Sequence, residues 1–324
     1  MSMPKVSVLV TFYNQEKYVD KALESIISQK TDFGIKILVG DDGSSDKTCE
    51  EVEKWINRYP EMIELYIMER NEEKVVPGFR ASRNRINLLS HVNTEYFIYL
   101  DGDDYFDYDL KLQKQVDILD NKENNDCIAC GHNIYMQFSD GSRKPALEIP
   151  IKEGKLSAKD YWGKIYIHTD TLLIRSSVIS QINTELLENN FNDNMITYSI
   201  IQYGKIYYLP TFWAVYMQTG DGIWTEGKRV VNSIRNMFIY DLCMQINPSL
   251  KKQTKIRFYR SWIELFKLRN TIYSDNLLLL NKEAEKNCLK NSHKWIHYSQ
   301  LGFFERVSLL FELVSILCVK VLSK

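Results

Sequence analysis

Short apolar runs alternate with amphipathic stretches over the first two thirds of the chain. Uninterrupted apolar runs predict buried strands, and apolar residues at helical spacing predict helices. The predicted strands span residues 6–10, 35–39, 64–68, 96–100, 127–138, 169–174, 206–209 and 212–216. The predicted helices begin near residues 18, 46, 78, 109, 160 and 191. Because strand and helix alternate, the pattern predicts an α/β fold with a mostly parallel sheet.

The pattern changes after residue 217, where the sequence predicts helices only. We therefore predict an α/β domain over residues 1–217 and a C-terminal helical region over residues 218–324. The stretch 220–224, Gly-Asp-Gly-Ile-Trp, has two glycines and an aromatic residue. It is either a lid that orders over a ligand or an ordinary interdomain loop.

Composition narrows the class of protein. The 324 residues carry a net charge of −1, so the chain has no overall attraction to nucleic acid. Six scattered cysteines fit a reducing compartment. The first residues lack the layout of a signal peptide, and no uncharged apolar run reaches the ~20 residues of a membrane span. These features predict a cytoplasmic protein.

The residues that follow the predicted strand at 96–100 are the most informative about function. It is followed by Asp101-Gly102-Asp103-Asp104. Carboxylates crowded at the end of a buried strand repel each other, and a divalent cation such as Mg²⁺ or Mn²⁺ relieves that repulsion. The alternative is that Asp103 or Asp104 caps the following helix.

Four segments, taken together, resemble family 2 glycosyltransferases. They are Val6–Asn14, Asp41–Asp46, Arg83–Asn84 and Leu100–Asp104, in the order and spacing of that family. The resemblance covers roughly residues 4–217 and implies a GT-A fold, a Rossmann-like sheet flanked by helices. It further implies a nucleotide-sugar-binding half over 1–104, an acceptor-binding half over 105–217, inversion at the sugar carbon, and a divalent cation in the site (Mn²⁺ or Mg²⁺).

The resemblance also implies roles for residues of the donor site. Thr11 and Tyr13 would line the nucleoside, with Tyr13 stacked on the base. Asp42 would accept a hydrogen bond from a base N–H, as expected for uracil. Arg83 would offset diphosphate charge. The alternatives are a ligand-free turn at Asp42 and a solvated helix face at Arg83.

Within the Asp-x-Asp segment, the resemblance makes Asp104 the main metal ligand. Asp103 would contact the ribose or a metal-bound water, and Asp101 the sugar or the metal. These three carboxylates make up the predicted donor and metal site at the end of the central strand.

An inverting transfer also needs a general base. The family usually places it in a Glu-Asp pair that opens a helix, and Asn192-Asp193 matches that position by its spacing to Gly204 and Pro210. Asp193 is therefore the predicted base, although Asn192 replaces the usual Glu and either residue is suited to a helix cap. His168 is a candidate acceptor-site residue, and a structural histidine is the alternative.

The C-terminal third suggests contacts of another kind. Residues 251–269 are basic with interleaved aromatic residues, which suits an anionic membrane surface or a helix packed on the catalytic domain. Residues 303–322 predict an apolar helix with a narrow polar stripe. We expect that helix to contact a membrane surface or a second copy of the chain, so the protein would be cytoplasmic or peripheral on the inner face of the cell membrane.

The sequence thus predicts an inverting glycosyltransferase that adds one sugar from a UDP-sugar to a saccharide or lipid-linked acceptor, in surface polysaccharide or glycan synthesis. The Gln-x-x-Arg-Trp motif and the membrane spans of processive relatives are not found, which favours single addition. The rival hypotheses are a nucleotide-sugar-binding scaffold without activity and a sugar-phosphate nucleotidylyltransferase. The second needs a glycine-rich phosphate loop where this chain has Thr11-Phe-Tyr-Asn14.

Overall fold

The computed structural model describes residues 4–70, 79–148, 151–161, 167–219 and 229–251, with residues 254, 255, 257, 258 and 261. The chain divides into two compact units, Met1–Gly222 and Ile223–Lys324.

The first unit is built on a ten-stranded sheet. Its strands are β1 (Pro4–Phe12), β2 (Gly34–Asp41), β3 (Ile63–Ile67), β4 (Tyr96–Asp101), β5 (Tyr105–Phe106), β6 (Cys127–Gln137), β7 (Arg143–Pro145), β8 (Gly154–Leu156), β9 (Leu173–Arg175) and β10 (Lys205–Met217). Its α-helices are α1 (Val19–Ile27), α2 (Thr48–Arg58), α3 (Phe79–Ser90), α4 (Lys111–Asp120), α5 (Ala158–Tyr161), α6 (Thr184–Leu187) and α7 (Asp193–Ile200).

The sheet has the strand order β3-β2-β1-β4-β9-β6-β10-β5, with β7 beside β6 and β8 beside β10. Strands β3, β2, β1 and β4 run parallel, and β9 is the antiparallel strand that joins them to the parallel pair β6 and β10. In β1 and β4, side chains on both faces of the sheet are buried, which explains why these strands have unbroken apolar sequences. The predicted α/β fold with a mostly parallel sheet is confirmed.

The structure differs from the predicted strands in two regions. Residues 169–174 were expected to be extended, but Thr169–Thr171 forms a 3₁₀ turn and only Leu173–Arg175 is a strand. The turn forms because the Thr171 side chain and backbone N–H both bond to the His168 carbonyl. Residues 206–216 form one strand rather than two, because Pro210 is accommodated by a register shift between Leu209 and Phe212.

The described part of the second unit consists of helix α8 (Arg229–Ile246), a 3₁₀ turn (Pro248–Leu250) and a few helical residues beyond it. No helix among the described residues is long and apolar enough to cross a membrane. The predicted lid at 220–224, the helix at 303–322 and most of the basic stretch 251–269 lie outside the described residues.

Candidate active site

The carboxyl ends of the parallel strands bring the sequence motifs together. Thr11 at the end of β1 is level with Gly40 of β2 and with Asp101 of β4. The Thr11 hydroxyl also donates a hydrogen bond of 3.3 Å to Asp101 Oδ1. Ligands of open α/β sheets bind at this edge, so the end of β4 is the candidate site.

The loop after β2 contains two consecutive aspartates, Asp41 and Asp42, with different roles. Asp41 accepts two bonds from Ser44, at 2.7 Å from its backbone N–H and 2.5 Å from its hydroxyl. Gly43 has φ +69°, a conformation that favours glycine. Asp41 therefore stabilises the turn, whereas the side chain of Asp42 contacts residues outside it.

Asp42 lies in a group that we call the paired corner: Tyr13, Asp42, Arg70 and Arg80. Asp42 is only 5% exposed, and its carboxylate contacts two guanidinium groups. Arg80 Nε is 2.7 Å from Oδ1, and Arg70 NH2 is 3.1 Å from Oδ2. The Arg70 guanidinium lies 3.7 Å from the centre of the Tyr13 ring and donates a 2.7 Å bond to the Tyr13 hydroxyl. The paired corner thus places a partly exposed aromatic ring beside a fixed carboxylate.

The second group, the acidic cluster, consists of Asp101, Asp104, His168 and Asp170. One potential ligand atom from each residue lies within 4.8 Å of the others. Asp104 and Asp170 are fully buried, and Asp101 is half-buried. Gly102 permits this arrangement, because a Cβ there would lie 2.2 Å from the Phe12 ring. The cluster joins the end of β4 to the 3₁₀ turn that precedes β9.

Arg85 of α3 reaches the cluster from the side. Its NH2 donates to both oxygens of Asp101, at 2.5 and 2.7 Å. The neighbouring Asn84 donates a 2.9 Å bond to the Gly40 carbonyl, which fixes α3 against β2. Burial disfavours the charged guanidinium, but Asp101 and Asp193 more than reverse this effect and raise the pKa of Arg85. Asp101 is thus held in an ion pair with a buried guanidinium.

The charges of the cluster raise the carboxyl pKa values. Burial and the neighbouring Asp170 raise the pKa of Asp104 well above its usual range. Burial and the nearby Asp101 raise the pKa of Asp103 to about 6. Such shifts are expected where carboxylates are buried beside other negative charges. Buried carboxylate oxygens of this kind fit a hard divalent cation, because Mg²⁺ and Mn²⁺ prefer oxygen ligands.

Asp193 begins α7 beside the cluster. The Asn192 side chain caps the helix by accepting a bond from the Met195 N–H, so the Asp193 carboxylate is not used as the cap. Asp193 Oδ1 lies 3.1 Å from the Thr169 hydroxyl and 3.4 Å from Arg85 NH1. A single guanidinium therefore spans Asp101 and Asp193.

His168 connects Asp193 to the acidic cluster. Its Nε2 is 3.5 Å from Asp193 Oδ2, and its Nδ1 is 3.4 Å from Asp170 Oδ2. Burial lowers the pKa of His168, but the carboxylates of Asp170 and Asp193 outweigh it and raise the value to about 10. The Arg85 guanidinium therefore offsets the negative charge around Asp193, and the raised pKa of His168 reflects the same negative surroundings.

The structure brings together most of the residues that the sequence singled out. Asp101, Asp104, His168 and Asp193 meet in one site, with Thr11 at its edge, and Tyr13 and Asp42 form the paired corner. Arg83 instead contacts Glu188 and Asn189, each at 3.2 Å. Asp103 is outside the group of four and hydrogen-bonds with Gln15. The proposed roles of all these residues remain predictions.

The sequence did not identify four residues of the site: Arg70, Arg80, Arg85 and Asp170. Arg85 is two positions from Arg83, on another face of α3, and the sequence could not say which face meets the sheet. Asp170 precedes the apolar segment Leu172-Leu-Ile174. An acidic residue next to a buried strand was the signal that identified Asp101–Asp104, and it could have identified Asp170 as well.

Solved structures share the fold. A Staphylococcus aureus TarS structure in complex with UDP-GlcNAc aligns with a TM-score of 0.60 and 18% identity, over 89% of this chain and 80% of that one. A Pyrobaculum calidifontis mannosyltransferase in complex with GDP-Man and Mn²⁺ aligns with a TM-score of 0.51 and 15% identity, over 100% of this chain and 89% of that one. These similarities confirm the predicted GT-A type of fold.

Sequence relatives extend the comparison. An uncharacterized protein of Mycobacterium tuberculosis is 27% identical over 223 residues, which are 68% of this chain and 60% of that protein. The putative glycosyltransferase EpsE of Bacillus subtilis is 29% identical over 176 residues, 54% of this chain and 58% of EpsE. The chain thus spans about 60% of the length of these relatives. The family model described as glycosyl transferase family 2 matches residues 7–182, more than half of the chain, which therefore belongs to that family.

Proposed function

We propose that this protein is an inverting glycosyltransferase that transfers one sugar from a UDP-sugar to a saccharide acceptor. The observation that carries the proposal is the position of Asp193. Its carboxylate lies beside the acidic end of β4, held there by Arg85 at 3.4 Å and His168 at 3.5 Å. Family membership and the GT-A fold support the class of reaction.

The paired corner supports a nucleoside diphosphate donor. The Tyr13 side chain is 41% exposed and offers a ring face on which a base would stack. Asp42 keeps acceptor capacity beyond its two arginine contacts, because a carboxylate has about four lone-pair sites. It would accept the N–H of uracil. TarS, which has the same fold, has been solved with UDP-GlcNAc, and this likeness favours UDP over other nucleotides.

The acidic cluster is suited to the diphosphate end of the donor. A divalent cation bound there would offset the negative charge of the diphosphate as it leaves. Asp104 is the main candidate ligand, because its Oδ2 is buried without a hydrogen-bond partner in the described part of the chain. Arg85 keeps Asp101 in place and fixes the edge of this site.

Asp193 is proposed to be the general base. It would take the proton of the acceptor hydroxyl while that oxygen bonds to the sugar carbon, and the bond from that carbon to the diphosphate oxygen breaks. The nucleoside diphosphate leaves with the bonding electron pair, and the sugar carbon is inverted. The Arg85 guanidinium, 3.4 Å from the carboxylate, favours its ionised form, which is the form that a base needs.

The experiment is to measure release of UDP from a panel of UDP-sugars with Mn²⁺, with and without saccharide acceptors. We expect UDP release that increases with one acceptor and stops on EDTA addition. UDP binding without release under every condition would instead support the scaffold hypothesis. Release of pyrophosphate from a sugar phosphate and a nucleoside triphosphate would support a nucleotidylyltransferase.

A matched pair of variants tests the site. Asp193→Asn keeps the shape of the side chain but cannot accept the proton, so it should lose UDP release while it still binds UDP. Asp117→Asn makes the same chemical change on an exposed residue of α4, whose carboxylate accepts a 2.8 Å bond from Gln113. It should behave like the wild type.

The finer parts of the proposal rest on the sequence. We propose, from the sequence, transfer of a single sugar to a lipid-linked acceptor. We also propose from it a role in surface polysaccharide or glycan synthesis and a position on the inner face of the cell membrane. The membrane or self-association role of the C-terminal helices concerns residues that lie mainly outside the described part of the chain. Deletion of residues 303–324 tests it through membrane binding and oligomeric state.

A further inference from the structure

Asp170 is a buried carboxylate that has no role in the donor site or in the general base proposed above. It is 0% exposed and lies in the 3₁₀ turn between His168 and β9, 66 residues after Asp104. Burying a carboxylate is costly unless it is paired or bound to a metal. The arrangement of its two oxygens indicates what compensates for this cost.

Asp104 and Asp170 are held in the same manner. One oxygen of each accepts a backbone N–H: Asp104 Oδ1 from Met217 at 2.7 Å, and Asp170 Oδ1 from Asp101 at 3.3 Å. The other oxygen, Oδ2 in both residues, is buried and has no hydrogen-bond partner among the described residues. Two segments of the chain thus each present one fixed and one unsatisfied carboxylate oxygen.

The other members of the acidic cluster are already engaged. Both oxygens of Asp101 receive Arg85 NH2. His168 Nδ1 approaches Asp170 Oδ2 to 3.4 Å, an ion-pair distance, while its Nε2 faces Asp193. Asp104 and Asp170 are therefore the two carboxylates of the cluster that keep an oxygen without a hydrogen bond among the described residues, and in Asp170 that oxygen has only the longer contact with His168.

The spacing of the cluster suits a small cation. Ligand atoms of one ion with bonds of about 2.0–2.1 Å are separated by no more than about 4.2 Å. The potential ligand atoms of the cluster lie within 4.8 Å of one another, so a small inward movement satisfies that geometry.

We propose that Asp170 is a direct ligand of the divalent cation, and that Asp104 and Asp170 together hold the cation before the nucleotide binds. The proposal rests on the proposed function, because it concerns the cation of the same site. One or two carboxylates plus substrate phosphates are the usual ligands of such an ion. Here two carboxylates from separate segments balance the two positive charges without any phosphate.

The test is a titration of the nucleotide-free full chain with Mn²⁺, in which the electron paramagnetic resonance signal of free Mn²⁺ reports the unbound ion. The wild type should bind one Mn²⁺ per chain. Asp170→Asn and Asp104→Asn should each weaken binding at least about 10–100-fold, the loss typical of removing even an outer-shell partner. Asp117→Asn should leave binding unchanged. Wild-type protein that binds Mn²⁺ only when UDP is added would overturn the proposal.

Thermal unfolding separates a ligand role from a structural one. Asn at position 170 keeps an oxygen for the Asp101 N–H and removes one buried charge. Metal-free Asp170→Asn should therefore unfold at or above the wild-type temperature, while Mn²⁺ should stabilise the variant less than it stabilises the wild type. A metal-free variant that unfolds lower, yet is stabilised by Mn²⁺ as much as the wild type, would show that Asp170 is structural.

The failure of this proposal can be told apart from failure of the proposed function. If UDP-sugars are cleaved in the presence of Mn²⁺ but the nucleotide-free protein does not bind the ion, the glycosyltransferase function stands and the role of Asp170 is wrong. If Mn²⁺ binds through Asp170 but no UDP-sugar is cleaved, the cation site stands and the function is wrong.

Discussion

The paired corner and the acidic cluster each contain a buried carboxylate just beyond a parallel strand. The two carboxylates differ in the groups that compensate their negative charge. Asp42, after β2, contacts two guanidinium groups at 2.7 and 3.1 Å. Asp104, after β4, receives one backbone N–H, and its second oxygen has no hydrogen-bond partner in the described chain. Burial and repulsion by Asp170 raise the pKa of Asp104 well above its usual range.

This difference separates a site that is formed in advance from one that is completed by its ligand. A buried ion pair keeps its geometry whether or not a ligand is present, so the paired corner is suited to select a base by shape and hydrogen bonding. Unsatisfied carboxylates cost free energy in the empty protein, and a bound cation recovers it. Ligand-dependent stability should therefore come from the acidic cluster.

The largest expected effect comes from breaking the acidic cluster at its centre. Asp104→Ala removes the main proposed metal ligand, so metal-dependent turnover should fall below detection and nucleotide binding should lose its dependence on Mn²⁺. UDP release and UDP titrations with and without EDTA measure both effects. Full activity in the variant, or a wild type that is indifferent to EDTA, would contradict a cation at this site.

The next largest effect is expected at the proposed base, Asp193, which belongs to neither the paired corner nor the acidic cluster. Asp193→Asn should lower kcat about 10²–10⁴-fold, the range for loss of a general base. Donor affinity should stay close to that of the wild type, because the paired corner and the acidic cluster are intact. Steady-state kinetics with varied donor give the two values. A loss of donor binding would place Asp193 in the donor site, and a change of only a few-fold would rule it out as the base.

A smaller effect is expected at the paired corner. Asp42→Asn removes the charged acceptor proposed for the base N–H and leaves Arg70 and Arg80 without their carboxylate. A hydrogen bond to a charged group contributes about 1.5–3 kcal/mol, so the donor KM should rise roughly 10–100-fold. The kcat value should change little. If kcat falls while the KM stays constant, the two regions do not divide selection and chemistry as proposed.

The sequence predicted the parallel half of the fold well, because strands buried on both faces leave an apolar run that is hard to mistake. It predicted Asp101–Asp104 for the same reason, since polar residues directly after such a run lie at the sheet edge. It could not choose between Arg83 and Arg85, because the side of α3 that meets the sheet depends on tertiary packing.

Asp170 shows a second limit of the sequence. Residues 169–174 were expected to form a strand, but the hydrogen bonds from Thr171 to the His168 carbonyl make a turn there. That turn is what directs a carboxylate towards Asp104. Contacts between segments that are 66 residues apart depend on the antiparallel pairing of β4 with β9, for which the apolar pattern contains no signal.

The smallest expected effect concerns Asp103, at the margin of the acidic cluster. Burial and Asp101 raise its pKa from 3.8 to about 6, so the folded protein binds this proton more tightly than the unfolded chain does. As pH rises through this interval, the folded state loses stability at this residue, by about 1–2 kcal/mol once solvent screening is allowed for. Asp103→Asn removes that loss. In EDTA, the unfolding temperature of the variant relative to the wild type should therefore increase by a few degrees between pH 4.5 and 7.5.

Asp117→Asn serves as the exposed control on α4 and should show no such trend. If the difference between Asp103→Asn and the wild type is independent of pH, the Asp103 carboxylate does not experience the repulsion within the acidic cluster, and the buried carboxylate oxygens without a hydrogen bond among the described residues are those of Asp104 and Asp170.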